Sequence, residues 1–123
     1  MREAYRVLAP GGALCVSMTH PCFSAPVSEW IRGKGARAKY FAVDRYFERI
    51  AWEDRISASF RTPTIHRHRP LEDYMRGGLT AGFILRTFQE PMATDADVRV
   101  AANFEPMTRL PYFLFLRWQK PLA

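Results

Sequence analysis

The sequence is poor in cysteine and in long apolar stretches, and each shortage excludes a class of protein. Two cysteines, Cys15 and Cys22, are too few for a four-cysteine zinc site, and a disulfide over so short a span would distort a strand end. We expect both thiols to be reduced, as in an intracellular protein. The longest apolar runs, 13–16 and 112–116, are too short to cross a bilayer.

Clustered charge is also missing, although 18 basic side chains against 12 acidic ones give a net charge of +6. No four Lys or Arg residues follow one another, so a nucleic-acid interface is the weaker interpretation of this charge. Arginine also suits pairing with carboxylates or phosphates. The amino-terminal residues are polar and helix-like, unlike a secretory signal, and we expect a cytoplasmic protein with no membrane partner.

The first 19 residues contain one pattern typical of a helix and one typical of a strand. Residues 1–8 carry apolar side chains at helical spacing, and Pro10-Gly11-Gly12 ends that helix. Residues 13–19 form a mostly apolar run, which predicts a strand of the kind found where both sheet faces are covered.

Residues 20–68 read as a long insertion, rich in proline, glycine and aromatic residues. We predict an irregular start, a short aromatic helix or strand over 39–52, and a strand over 55–62. A long segment of this kind between core elements is usually functional, often as a lid.

The last half of the chain predicts a helix, a strand, a polar excursion and a final strand. Pro70 begins the helix, an apolar stripe follows, and Gly82 ends it before a strand over 83–89. Gly77-Gly78 within the helix indicates either close packing against the sheet or a frayed last turn. A possible short helix over 95–104 precedes a strand over 112–118. A helical crossover between two strands predicts that they run parallel in an α/β sheet.

Several pieces of the sequence, in register over nearly the whole chain, resemble class I S-adenosylmethionine-dependent methyltransferases, in particular the small-molecule subgroup called methyltransferase type 11. They are RVLAPGG (6–12), SMTHPCF (17–23), HRPL (68–71), Tyr74, LTAGF (79–83), Glu90-Pro91, RLPYFL (109–114) and Lys120.

This resemblance implies the C-terminal half of a Rossmann-like α/β sheet, with the fifth, sixth and seventh strands of the family and the last one antiparallel. Residues 1–123 would be a partial domain that contains the 20–68 insertion. The implied activity is transfer of a methyl group from S-adenosylmethionine to a small-molecule acceptor.

The sequence departs from the family because it contains no Gly-x-Gly-x-x-Gly loop for the methyl donor. We therefore assign no cofactor-binding residue and expect the isolated chain to lack the donor site and activity. The chain could be a fragment or half of a split enzyme. Alternatively, it could be a non-catalytic scaffold that partners a complete methyltransferase. An unpaired apolar edge on the first strand would favour self-association.

The candidate site residues lie near predicted strand ends and in the insertion. His20 follows the first strand and is the candidate general base or acceptor-orienting group, or a histidine that fixes the turn. Tyr46, Trp52, His68 and Glu90 are the candidate acceptor-binding residues. The alternatives are plain packing for the aromatic residues, including Phe47 and Phe60, orientation of the helix entrance for His68, and an arginine pair for Glu90. We predict no metal site, since His66 and His68 lack a third ligand at suitable spacing.

Overall fold

A computed structural model describes residues 1–35, 38–54 and 61–122 of the chain. The helices are α1 (Arg2–Val7), α2 (Leu71–Thr80) and α3 (Asp95–Val100), and a 3-10 helix covers Ala102–Thr108. The strands are β1 (Ala13–Thr19), β2 (Val27–Arg32), β3 (Ala38–Asp44), β4 (Ala51–Asp54), β5 (Thr64–Arg67), β6 (Ile84–Gln89) and β7 (Phe113–Gln119).

The central sheet has three strands in the order β1-β7-β6. β7 is antiparallel to both neighbours, which confirms the predicted direction of the last strand. β1 and β6 therefore run in the same direction, as the helical crossover predicted, but β7 separates them. Within the described ranges β7 is the one ladder partner of β1, so the other edge of β1 is open.

The core lies on one face of this sheet, where strand alternation places the largest apolar side chains of β7. Leu114, Leu116 and Trp118 are buried, and Phe83 joins them just before β6. Both α1 and α2 cover this face, through Tyr5, Leu8, Leu71 and Met75 among others. Burial of these side chains supplies the main apolar stabilisation of the sheet.

The described residues leave the opposite face of the central sheet open, although an apolar run such as 13–19 is typical of a strand with both faces covered. β1 alternates between exposed and half-buried residues instead of being buried throughout. Phe113, Phe115 and Ile84 are 42%, 37% and 40% exposed, and Cys15 is exposed with a free thiol. The described residues thus leave apolar surface next to the open edge of β1.

The glycine pair in α2 packs closely against the sheet at only one of its two positions. A Cβ atom added to Gly78 would lie 2.6 Å from the ring of Trp118, which is 0% exposed. A Cβ added to Gly77 would meet only Cγ of Met1, at 3.4 Å. Gly82, with φ at +95°, ends the helix in the left-handed region, as predicted.

The insertion contains two antiparallel hairpins, and the irregular start predicted for it was wrong. β2 pairs with β3, so residues 27–32 are a strand where an irregular segment was predicted. The segment 39–52, predicted as one helix or strand, contains β3, a turn and the start of β4. β4 pairs with β5. Most of the strand predicted over 55–62 lies outside the described residues, and Arg61 and Thr62 form a bend.

Polar contacts attach the insertion to the core elements. The guanidinium group of Arg49 donates two hydrogen bonds to the carboxylate of Asp73 in α2, at 2.6 and 2.8 Å. The guanidinium group of Arg109 donates to the carbonyls of Ala38 and Lys39 in β3, at 2.9 and 2.6 Å. These contacts hold the insertion at one end of the central sheet.

The excursion between β6 and β7 forms two short helices over the region where one was predicted. Thr94 caps α3 with a reciprocal pair of hydrogen bonds to Asp97, a capping box. These bonds hold the pKa of Asp97 below its usual value. The 3-10 helix then leads the chain back to the start of β7.

Candidate functional site

Three chain segments meet at one end of the central sheet. His20 follows β1, Glu90 follows β6, and Tyr112 precedes β7. The register pairs Thr19 with Phe113, so the start of β7 lies at the carboxyl ends of β1 and β6. The amide of His20 donates to the carbonyl of Tyr112 at 2.8 Å. Ligands of open α/β sheets bind at the carboxyl ends of parallel strands, so this end is the place to look for a site.

His20 is buried, with 2% of its surface exposed, and both ring nitrogens have partners. Its Nδ1 accepts the amide N–H of Cys22 at 3.2 Å, so the proton of the neutral ring is on Nε2. Nε2–H donates to Oε1 of Glu90 at 2.7 Å. The bond to Cys22 fixes the turn after β1, and the bond to Glu90 joins the ends of two strands that do not pair.

Glu90 is the accessible member of this pair. Its side chain is 48% exposed, whereas the ring of His20 is enclosed. One carboxylate oxygen accepts from His20, which leaves the second able to accept a proton or hydrogen bond from a ligand. The alternative considered from sequence, a structural pair of Glu90 with an arginine, differs from the observed partner.

Tyr46 and His68 form a second cluster, at the start of α2. The Tyr46 hydroxyl accepts the amide N–H of Leu71 at 2.8 Å, and the Cys22 thiol donates to it at 3.8 Å. Pro70 offers no side-chain cap at this helix end, so the hydroxyl supplies the missing acceptor. Nε2–H of His68 donates to the Tyr46 carbonyl at 2.7 Å. Burial raises the pKa of the Tyr46 hydroxyl, which therefore stays protonated at neutral pH.

Trp52 lies apart from that cluster, in a groove beside His20. Its indole ring stacks on His66, with ring centroids 5.6 Å apart. The groove has a volume of about 570 Å³. Its aromatic lining consists of Phe23, Trp30, Phe41, Trp52 and Tyr112. We call this cavity the aromatic groove. The Phe23 ring lies 5.1 Å from the His20 ring, so the groove adjoins His20.

Two solved structures share this fold with the chain. One is from Listeria monocytogenes and is described as a candidate S-adenosylmethionine-dependent methyltransferase; the TM-score is 0.78 and the identity 21%, over 97% of this chain and 52% of that one. The other, an S-adenosylmethionine-dependent methyltransferase from Mesorhizobium loti, has a TM-score of 0.74 and 22% identity, over 97% and 53%. The chain has the fold of half a methyltransferase. It spans about half the length of these structures. No family model and no curated protein matches the chain.

The glycines of this half-methyltransferase fold, all within the described residues, do not form a loop that would fit the methyl donor. All seven glycines are described, and none lies in the loop that leads from the carboxyl end of β6 into α3, while the carboxyl end of β1 leads into β2 and not into a helix. Gly33 and Gly35 lie at the turn between β2 and β3, and Gly78 packs against Trp118. A nucleotide-like donor needs glycines that let the backbone come close to it, and these glycines do not lie where they could do so.

Sequence reasoning named His20 and Glu90 separately, and the structure joins them across 70 positions. It also brings Tyr46 to His68 but places Trp52 elsewhere. Of the aromatic residues considered as a pocket wall, Trp52 lines the groove, Phe47 is 77% exposed, and Phe60 lies outside the described residues.

The remaining aromatic lining of the groove was missed from sequence. The signal that could have found it is a hairpin pattern, VSEWIR and KYFAV on either side of Gly33 and Gly35, which identifies two strands that carry Trp30 and Phe41.

Residues 1–35, 38–54 and 61–122 contain neither a cluster of metal ligands nor a helix that could cross a bilayer. No three His, Cys, Asp or Glu side chains there come together as metal ligands would. No helix in these ranges has the length and apolar character needed to cross a bilayer.

Proposed function

We propose that this chain is the acceptor-side half of an S-adenosylmethionine-dependent methyltransferase that acts on a small molecule in the cytoplasm. The fold shared with methyltransferase structures supports this proposal. The observation that carries it is the 2.7 Å contact between His20 and Glu90 at the carboxyl ends of β1 and β6, where a ligand of such a sheet binds.

The two residues have different roles in this proposal. When an acceptor hydroxyl or amine is methylated, its proton must leave, and the free carboxylate oxygen of Glu90 is placed to take it. His20 is the positioning residue, because its Nε2–H holds the other oxygen of Glu90 while its own Nδ1 is fixed by the Cys22 amide. His20 does not itself reach the acceptor in this geometry, since its ring is enclosed.

The donor would be bound by a second polypeptide segment with the glycine-rich loop. The half-length match to the methyltransferase structures and the positions of the glycines support this division. We propose that this segment pairs with the open edge of β1 and covers the exposed face around Phe113 and Phe115. In its absence, the same edge would pair with a second copy of the chain.

The DNA upstream of Met1 provides the first test. An in-frame stretch that encodes a strand, a glycine-rich loop and an acidic residue supports the proposal. The protein expressed with that stretch should then transfer labelled methyl groups from S-adenosylmethionine, and Glu90→Gln should lower kcat about 100-fold. Glu3→Gln, which removes the same charge from exposed α1, is the matched control and should leave kcat unchanged. Equal rates for both variants would rule out Glu90 as the base.

A non-catalytic scaffold is the second candidate, and the positions of the seven glycines favour it to the same extent. Such a chain would bind a complete methyltransferase without contributing to donor binding. It is supported if the DNA upstream of Met1 encodes no donor-binding stretch. It also requires that the chain changes the stability of a partner enzyme without contributing residues to the partner's reaction.

A further inference from the structure

The aromatic groove has features that indicate the class of molecule it would bind. Its five aromatic rings come from both insertion hairpins, the turn after β1 and the residue before β7. A volume of about 570 Å³ is within the range of small-molecule sites. Rings from so many segments meet there only because the insertion is held against the end of the sheet.

Polar contacts behind the rings hold the walls of the groove. The guanidinium carbon of Arg109 lies 4.8 Å from the centre of the Trp30 ring, while its nitrogens bind two carbonyls of β3. Nε1–H of Trp30 donates to the Tyr112 hydroxyl at 2.7 Å. A ligand would therefore meet rings that are already ordered, which lowers the entropic cost of binding.

The hydrogen-bond donors that line the groove are mostly used within the protein. The Ser24 hydroxyl donates to the His20 carbonyl at 2.9 Å, and the Ser28 hydroxyl donates to the Ala25 carbonyl at 2.8 Å. Trp30 donates to Tyr112. Glu29 and Arg32 also line the groove, so a ligand would meet charged side chains beside the five aromatic rings. This combination suits a planar ring that carries a polar group.

We propose that the aromatic groove binds the methyl acceptor and that this acceptor is a planar aromatic molecule bearing a hydroxyl or amine. The ring would lie against Trp52 and Phe23, at the end of the groove next to the His20 ring. That the bound molecule is methylated rests on the proposed function. The binding of planar rings in the groove does not depend on it and can be tested separately.

The test measures binding of 2-naphthol to the whole chain, with decahydro-2-naphthol as the saturated alcohol of the same skeleton. In ¹⁵N spectra of the wild-type chain, 2-naphthol should shift the indole signals of Trp30 and Trp52 but not that of Trp118 in the core. The saturated alcohol should bind at least about fivefold more weakly. Equal binding of the two alcohols, or a shift confined to Trp118, would overturn the assignment.

Matched variants locate the site independently of the spectra. Trp52→Leu should weaken 2-naphthol binding at least about fivefold, and Trp52→Phe should retain most of it. Phe47→Leu removes an exposed ring from the same insertion and should have no effect. Binding without methyl transfer in the donor-complemented protein would refute the proposed function but not the groove. Equal rates of methyl transfer to saturated and aromatic alcohols would refute the aromatic groove as the acceptor site but not the proposed function.

Discussion

The packing of α2 against the sheet predicts opposite effects for the same substitution at adjacent positions. Alanine at either Gly77 or Gly78 gains helix propensity, worth up to about 1 kcal/mol. At Gly77 the new methyl group meets only the flexible side chain of Met1, at 3.4 Å. Gly77→Ala should therefore stabilise the chain by about 0.5–1 kcal/mol.

At Gly78 the propensity gain is outweighed by overlap. The added Cβ would lie 2.6, 2.7 and 2.8 Å from three atoms of the Trp118 ring. That ring is fully buried and packs near Phe83, so it has little room to move. Overpacking of this kind costs about 1–3 kcal/mol, and with three atoms in conflict we expect a net loss of about 1–2 kcal/mol.

Thermal unfolding followed by far-UV circular dichroism measures both changes. For a chain of 123 residues, 1 kcal/mol corresponds to about 4 °C in Tm. The two variants should thus differ by about 8 °C, with the wild type between them. All samples need one protein concentration, because association makes Tm depend on it.

A rise in Tm for Gly78→Ala equal to that for Gly77→Ala would refute the close packing of α2 on Trp118. A lower Tm for both variants would contradict the finding that Gly77 has room for a methyl group. Since the substitution is the same and the positions are adjacent, neither outcome can be assigned to alanine itself.

Two further predictions concern the attachment of the insertion and the open edge of the sheet. The Arg49 guanidinium holds the pKa of Asp73 below its usual value, so their pairing stabilises the protein above about pH 3.9 and is lost as the pH falls through the lowered pKa. The difference in stability between wild type and Asp73→Asn, from denaturant titrations, should be full at pH 7 and vanish in strong acid; a difference that persists there would contradict the pairing. Sedimentation velocity should show the isolated chain as oligomers, which Ser17→Lys on β1 disrupts and Cys15→Ser does not. A monomeric wild-type chain would contradict edge pairing.

The core elements were predictable because their signals are local. The apolar stripe after Pro70, the left-handed Gly82 and the apolar run at the start of β7 depend on residues a few positions apart, and α2, β6 and β7 lie close to the predicted ranges. The sequence also placed His20 and Glu90 at strand ends, since each follows a recognisable strand.

The insertion and the site depended on the tertiary structure. β2 and β3 alternate weakly, and β4 and β5 are four residues each, so the pairing that stabilises them has little signature within either strand. The bond between His20 and Glu90 exists because β7 inserts between β1 and β6 and brings their ends together. The aromatic groove likewise needs rings from hairpins that meet only after folding. Local patterns therefore determined which elements form, while contacts between residues far apart in the chain determined where the candidate chemistry lies.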